Sequence, residues 1–324
     1  MLRHLFFTLL LSPILGHPLW AAEVDDWPSA PVKFIVPFAP GGATDLIGRI
    51  VAQKLSETFK QQFIVENRPG AGASLGSNLV AKATPNGYTL LLTNSGSHAA
   101  APGLFKNLPY DPVSDFTHLA LVATTPTVLV ANAKFPAQTL NELVSYAKAN
   151  PGKLNFATSG NGSSAHLVGE LFMLEAQIRM VHVPYRGAGP AMLDVLANQV
   201  PMMFDSLGSS SARIRSGDVR ALAVSAARRL KGFPNVPTFI ERGLPNVVST
   251  SWFGVSGPRG LPPAIQEKLA GALTRILQAA DLQARFAELE FEPATLPPEE
   301  FARFIQGEAD RWGKVIRQAG IKLE

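Results

Sequence analysis

The chain has no cysteine among its 324 residues. This excludes a disulfide, a thiolate nucleophile and a Cys-ligated zinc or iron–sulfur site. A bacterial envelope compartment tolerates that absence, whereas a small disulfide-stapled module is ruled out. The six histidines show no metal-ligand spacing, and no H-E-x-x-H, EF-hand or Walker pattern occurs, so no metal or cofactor is expected. Basic residues exceed acidic ones only modestly, 29 to 25. Apart from the short cluster Arg228–Arg229–Lys231 they are scattered, without the aromatic-interleaved strip that holds a nucleic-acid backbone, and no nucleic-acid partner is expected. Beyond the N-terminus no segment is apolar for long enough to cross a bilayer.

The N-terminus is the first positive feature. Met1–Ala22 places Arg3 ahead of the apolar runs Leu5–Leu11 and Ile14–Leu15 and closes on Ala21 and Ala22, with no acidic residue before Glu23. That order predicts a signal peptide cleaved near Ala21–Glu23 and export to the periplasm. Pro13, Gly16, His17 and Pro18 break the run too early for a permanent anchor, which needs roughly 20 apolar residues. Without a cysteine at the cleavage point a lipid anchor is excluded. The remainder, about 300 residues, exceeds what one core usually fills and predicts two lobes.

Short β-branched runs alternate with helical patterns. Val32–Phe38 predicts a strand, and Leu46, Ile47, Ile50, Val51, Leu55 and Phe59 follow at helical spacing. A strand at Phe63–Glu66, a helix over Leu75–Lys82 and a strand at Tyr88–Thr93 complete a β-α-β-α-β unit with parallel strands. A second such run comprises Val128–Ala131, the helix Leu140–Ala149, Leu154–Thr158, the helix Ser164–Ala176, Val181–Tyr185, Met202–Phe204 and Ala221–Val224. One strand after Trp252 and helices from Pro262 and Pro297 close the chain. No loose linker separates two halves, so the chain is expected to cross between lobes twice, near Thr124–Pro126 and Thr250–Phe253. This gives lobe 1 as 23–124 and 252–324, and lobe 2 as 125–251.

Four strand-to-helix loops carry the chemistry. Phe38–Ala39–Pro40–Gly41–Gly42–Ala43–Thr44–Asp45 sets two glycines between a strand and a helix start, where backbone N–H groups and the helix dipole favour an anion. Asn94–Ser95–Gly96–Ser97–His98, Ser159–Gly160–Asn161–Gly162–Ser163 and Tyr185–Arg186–Gly187 also follow strands, and ligands of open α/β sheets sit at those ends. The four together predict a small, oxygen-rich anionic ligand. Arg186 is the one basic residue in them. Asp45 would repel a carboxylate unless it holds a water, a backbone N–H or a ligand ammonium, and Asp205 suits a helix cap as well as a ligand contact. His98 and His166, near helix starts, are expected to be neutral.

Two enzyme motifs nearly fit. Gly72–Ala73–Ser74–Leu75–Gly76 matches G-x-S-x-G, but Asn67–Ala71 separates it from the preceding strand. Gly160–Ala165 matches G-x-G-x-x-A, yet the ribose-binding acid expected about 20 residues on is missing.

Trp27–Pro28, Pro40–Asp45, Glu66–Gly72, Pro85–Leu90, Val183–Gly187 and Arg220–Val224, in that order, resemble the Bug family of periplasmic solute receptors, which serve tripartite tricarboxylate transporters. The resemblance covers essentially the whole mature chain. It implies a two-lobed Venus-flytrap fold, each lobe a mainly parallel sheet flanked by helices. It further implies a carboxylate gripped by backbone N–H groups and waters, and delivery to one large and one small integral membrane subunit. Position by position, it assigns Phe38–Asp45 and Asn94–His98 to the first-lobe grip, and Ser159–Ser163, Tyr185–Gly187 and Asp205 to the second. The leading expectation is a receptor for a small carboxylate, not an enzyme, acting as a monomer. The rivals are an exported hydrolase using Ser74 with His98 or His166, and a ligand receptor for a membrane sensor.

Overall fold

The computed structural model describes residues 26–321; the expected signal segment Met1–Ala22 lies outside the described residues. The first unit forms as its periodicity dictates. Strand β1 (Val32–Val36), helix α1 (Ala43–Phe59), β2 (Phe63–Asn67), α2 (Ser74–Ala81) and β3 (Thr89–Asn94) follow in order. β1 lies in parallel between β2 and β3. Helix α1 buries Ile47, Val51 and Leu55 against Phe34, Leu90 and Leu92 of the sheet, the i, i+4, i+8 stripe of an amphipathic helix. After β3 the chain makes a π-helical turn, Gly96–Ala100, which runs into the short α3 (Ala101–Leu104).

Strand β4 (Phe116–Asn132) is 17 residues long and belongs to both halves. From Phe116 to Pro126 it pairs antiparallel with β9 (Thr250–Pro258), and from Thr127 onward with β7 (Met202–Ser206). The second half contains α4 (Leu140–Ala149), β5 (Asn155–Thr158), α5 (Ser164–Ala176), β6 (Val181–Pro184) and α6 (Ala188–Leu196). It ends with β7, α7 (Leu207–Arg215) and β8 (Val219–Val224). Here β5 pairs in parallel with β6 and β7, while β8 lies antiparallel against β4. One path of strands, β2-β1-β3-β9-β4-β7-β5-β6, therefore runs through both lobes. The outer pairings are parallel, and the strands where the chain crosses are antiparallel.

Alternation along the crossing strand builds two cores. Leu129 and Ala131 face Phe156, Phe172 and Phe204, whereas Val128 and Val130 face Met203, Val195 and Leu207 on the opposite side, as the period of two requires. The C-terminal helices α8 (Pro263–Gln278) and α9 (Ala280–Glu288) pack on the first lobe through Leu269, Leu273 and Phe286. Strand β10 (Glu292–Pro293) pairs with β4 at Ala123 and Thr124. Helix α10 (Pro298–Ala319) then lays Phe301, Ile305, Trp312 and Ile316 against Trp252, Leu121 and Leu104.

Candidate functional site

The loops after β1 and β3 meet the loops after β5 and β6 face to face. Gly41 takes a φ of +91°, open chiefly to glycine, and this turns the β1 loop toward the other lobe. Ala39 N–H donates to the Arg186 carbonyl at 3.0 Å, and the Ser95 and Ser164 hydroxyls hydrogen-bond across the cleft. Elsewhere the lobes touch backbone to backbone. A methyl group added at Gly72 would stand 2.5 Å from Asn161 O, at Gly187 2.9 Å from Ala39 N, and at Gly42 3.1 Å from Ala188 Cβ. The two lobes are closed on each other.

Closure leaves two chambers that share Phe38 and Ser159. The inner one, about 30 Å³, is lined by Phe38, Thr44, Asn94, Ser95, Ser159, Ser163, Ser164, Ala165, Ser206, Ser251 and Phe253. It has room for about two water molecules or one carboxylate group. Asn94 Oδ1 accepts from Gly96 N at 2.9 Å and Ser97 N at 3.1 Å, while its buried Nδ2 has no partner among the described residues. The outer chamber, about 240 Å³, lies between Phe38, Gly70–Ala73 and Phe105 of one lobe and Ser159–Asn161 and Pro184–Arg186 of the other.

Sequence-predicted residues thus fall into three groups. Phe38, Asn94, Ser95, Ser159, Gly160, Asn161, Ser163, Tyr185 and Arg186 line the chambers. Ala39, Gly41, Gly42 and Gly187 form the seam beside them, with Gly41 3.4 Å from Gly189 Cα when a Cβ is added. Asp45, Ser97, His98 and Asp205 stand behind. Asp45 Oδ2 accepts from Gly41 N and Arg49 Nε, each at 3.0 Å, and Oδ1 accepts from Asn67 Nδ2 at 2.9 Å. Burial raises its pKa, but the bonds from Arg49, Asn67 and Gly41 outweigh that and hold it below the ordinary carboxylate value. The carboxylate is a brace under the glycine loop, and Asn67 ties the same loop by donating to Phe38 O at 2.9 Å.

Behind the β3 loop, Ser97 Oγ and His98 Nδ1 lie 2.8 Å apart and Tyr110 Oη donates to Ser97 O at 2.8 Å. The His98 ring is wholly buried between Phe116, Tyr110 and His118. Desolvation, then the neighbouring His118, push its pKa well below the ordinary value, so burial, and not the helix start invoked from the sequence, accounts for a neutral ring. Asp205, at the end of β7, accepts from the Ser209 and Ser210 hydroxyls at 2.7 Å each. Burial lifts its pKa to about 6 against those bonds. In the second lobe His166 Nδ1 accepts from Gly162 N at 3.2 Å and its ring stacks on His182 at 4.2 Å.

Thr44, Ser164 and Ala165, which open helices at the ends of two of the predicted loops, line the inner chamber as well; Ser206, Ser251 and Phe253, from β7 and the returning β9, and Phe105, just after α3, carried no local signal. Ser74 starts α2 rather than capping a strand, and neither His98 nor His166 bonds to it among the described residues. The hydrolase constellation is not assembled.

A closed two-lobed α/β chain with small polar chambers where the strand ends of both lobes meet has the form of a solute receptor. Its class is that of periplasmic binding proteins. The family model described as tripartite tricarboxylate transporter family receptor matches residues 47–321, and the chain belongs to that family. BugT of Bordetella pertussis is 37% identical over 303 residues, 93% of either chain. An R. palustris structure with adipate is similar at a TM-score of 0.89 and 34% identity, covering 92% of this chain and all of that one. MatC of Rhodopseudomonas palustris with bound malate is similar at 0.85 and 35%, covering 90% and 100%. The family and these relatives are substrate-binding receptors, not enzymes. No helix among the described residues is long and apolar enough to cross a membrane.

Proposed function

We propose that this protein is an exported receptor that captures a small carboxylate between its lobes and delivers it to a tripartite tricarboxylate-type transporter. The observation that carries the reading is the inner chamber, where hydroxyls from both lobes and the unpaired Asn94 Nδ2 converge beside two helix starts. Hydroxyl and amide donors there satisfy carboxylate oxygens without a buried salt bridge. The chambers, about 30 and 240 Å³, fall below the roughly 300–1,000 Å³ of drug-sized sites, so the guest is small. Adipate and malate in the related structures support the same chemistry.

In this reading Phe38, Asn94, Ser95, Ser159–Asn161, Ser163 and Tyr185–Arg186 contact the ligand. Ala39, Gly41, Gly42 and Gly187 bring the lobes together, and Asp45, Ser97, His98 and Asp205 hold the loops in place. The change of pairing partner in β4 after Pro126 supports lobes of 23–124 with 252–324 and 125–251. Family membership supports a periplasmic location, a cleaved leader and a partner complex of one large and one small membrane subunit; a monomer suits such a shuttle.

Isothermal titration of refolded, ligand-stripped protein against a carboxylate panel tests the proposal. Saturable one-to-one binding of at least one acid is expected, with Asn94→Leu weakening it tenfold or more. Absence of binding by every acid from a folded protein overturns it.

A further inference from the structure

The loop Ser159–Ser163 gives Ser159, Gly160, Asn161 and Ser163 to the two chambers. Gly162 lines neither, and its amide is used differently. It donates to His166 Nδ1 at 3.2 Å, in the first turn of α5. A neutral imidazole that accepts at Nδ1 carries its hydrogen on Nε2, and Glu170 Oε1 stands 3.5 Å from that nitrogen. His166 itself is buried outside both chambers.

A second imidazole supports the first. The His182 ring, from β6, stacks on His166 at 4.2 Å with 20° between the planes, and it also stacks on Phe156 of β5 at 5.2 Å. Its Nε2 lies 2.7 Å from Thr158 Oγ1, and that oxygen accepts from Gly160 N at 3.1 Å. Burial first, then the neighbouring His166, lower the His182 pKa to about 3, so the stack does not set two charged rings face to face. Two paths, one through Glu170 and His166 and one through His182 and Thr158, therefore reach the same loop from outside the chambers. They meet it where the backbone holds itself least: Gly160 and Gly162 take φ of +132° and +77°, and glycine has the most conformational freedom to lose.

Resting on the receptor reading above, we infer that His166 is a positioning residue for the ligand. By accepting from Gly162 it fixes the loop in the shape that presents Ser159, Asn161 and Ser163 to the guest, which it does not itself touch. Asp45 does the same for Gly41 in the first lobe. One lobe thus braces its glycine loop with a carboxylate, the other with a neutral ring.

His166→Leu and His166→Asn separate the hydrogen bond from the packing. Leucine fills the space but cannot accept, whereas asparagine Oδ1 can stand where Nδ1 does but cannot stack on His182. Both variants and wild type are titrated with adipate and with malate, and amide exchange across Ser159–Ser163 is followed by NMR without ligand. His166→Asn should stay within about threefold of wild type in affinity and keep Gly162 protected. His166→Leu should lose about tenfold or more in affinity and exchange Gly162 about tenfold or more faster, because its buried donor is left unpaired. Ring nitrogen signals of His166 in the wild type should be those of the Nε2–H tautomer. Unchanged affinity in His166→Leu, a loss in His166→Asn as large as in His166→Leu, or the Nδ1–H tautomer overturns the inference and leaves the receptor reading intact. If wild type binds neither acid, the wider carboxylate panel decides the receptor reading, and exchange in the ligand-free proteins still decides whether His166 holds the loop. Should His166→Leu fail to fold, the asparagine variant and the tautomer remain able to overturn it.

Discussion

Gly189 of one lobe lies against Pro40 of the other so closely that a methyl group on Gly189 would stand 2.2 Å from the Pro40 carbonyl oxygen. Backbone cannot yield to that contact as a flexible side chain would, so the closed arrangement requires glycine there. Gly189 nevertheless sits in the first turn of α6, where alanine is the better helix former by up to about 1 kcal/mol. Gly189→Ala should therefore keep or slightly raise the melting temperature of the free protein while weakening ligand binding tenfold or more, since affinity falls with the fraction able to close. Scattering profiles of the variant with saturating ligand should remain wider than those of wild type. Unchanged affinity would show that the lobes need not come this close.

Asp45→Asn removes the charge that gathers Gly41, Arg49 and Asn67. Charge-assisted bonds of this sort contribute about 1.5–3 kcal/mol each when intact, and Arg49 is half exposed, so a net loss of about 1–3 kcal/mol is expected by denaturant unfolding. The native pKa is held below the ordinary value. The stabilisation is therefore present above the unfolded pKa near 4 and is lost as pH falls through the native one. The gap between wild type and variant should close on acidification below pH 4.

Asp205 has the opposite sign. Its native pKa is raised to about 6, so its contribution is full below the unfolded value near 4 and is lost as pH rises through 6. Asp205→Asn keeps an acceptor for Ser209 and Ser210 without the buried charge. Relative to wild type it should gain about 2 kcal/mol in unfolding free energy between pH 4 and pH 7. A difference that stays flat with pH would place the titration elsewhere.

The first β-α-β unit and the last helix were legible because their apolar spacing is local: Ile47, Val51 and Leu55 declare a helix whatever lies around them. The four loops were visible as glycine- and serine-rich strand-to-helix connections, each of them ordinary alone; only their shared position after strands pointed to a common site. Strand β4 was recognised only at Val128–Ala131. Residues 116–127 are buried along both faces where the chain passes between lobes, so they lack alternation, and Pro126 argues against a strand. It is tolerated because Pro126 pairs with Thr250 at the point where β4 leaves one partner for another. Helix α6 was hidden by Gly187–Ala188–Gly189–Pro190, which reads as a turn; Pro190 falls in the first helical turn, where no amide is needed. The role of Asp45 depends on Asn67, 22 residues away, and that of Phe105 on a π-helical turn. Neither relation leaves a mark at its own position.

Because β4 supplies hydrogen bonds to β9 in one lobe and to β7 and β8 in the other, neither half can lose its sheet without stripping a ladder from its neighbour. The molecule should thus melt in a single calorimetric transition although each lobe has its own core. Cutting the chain between the lobes should yield two unfolded fragments, not two small domains.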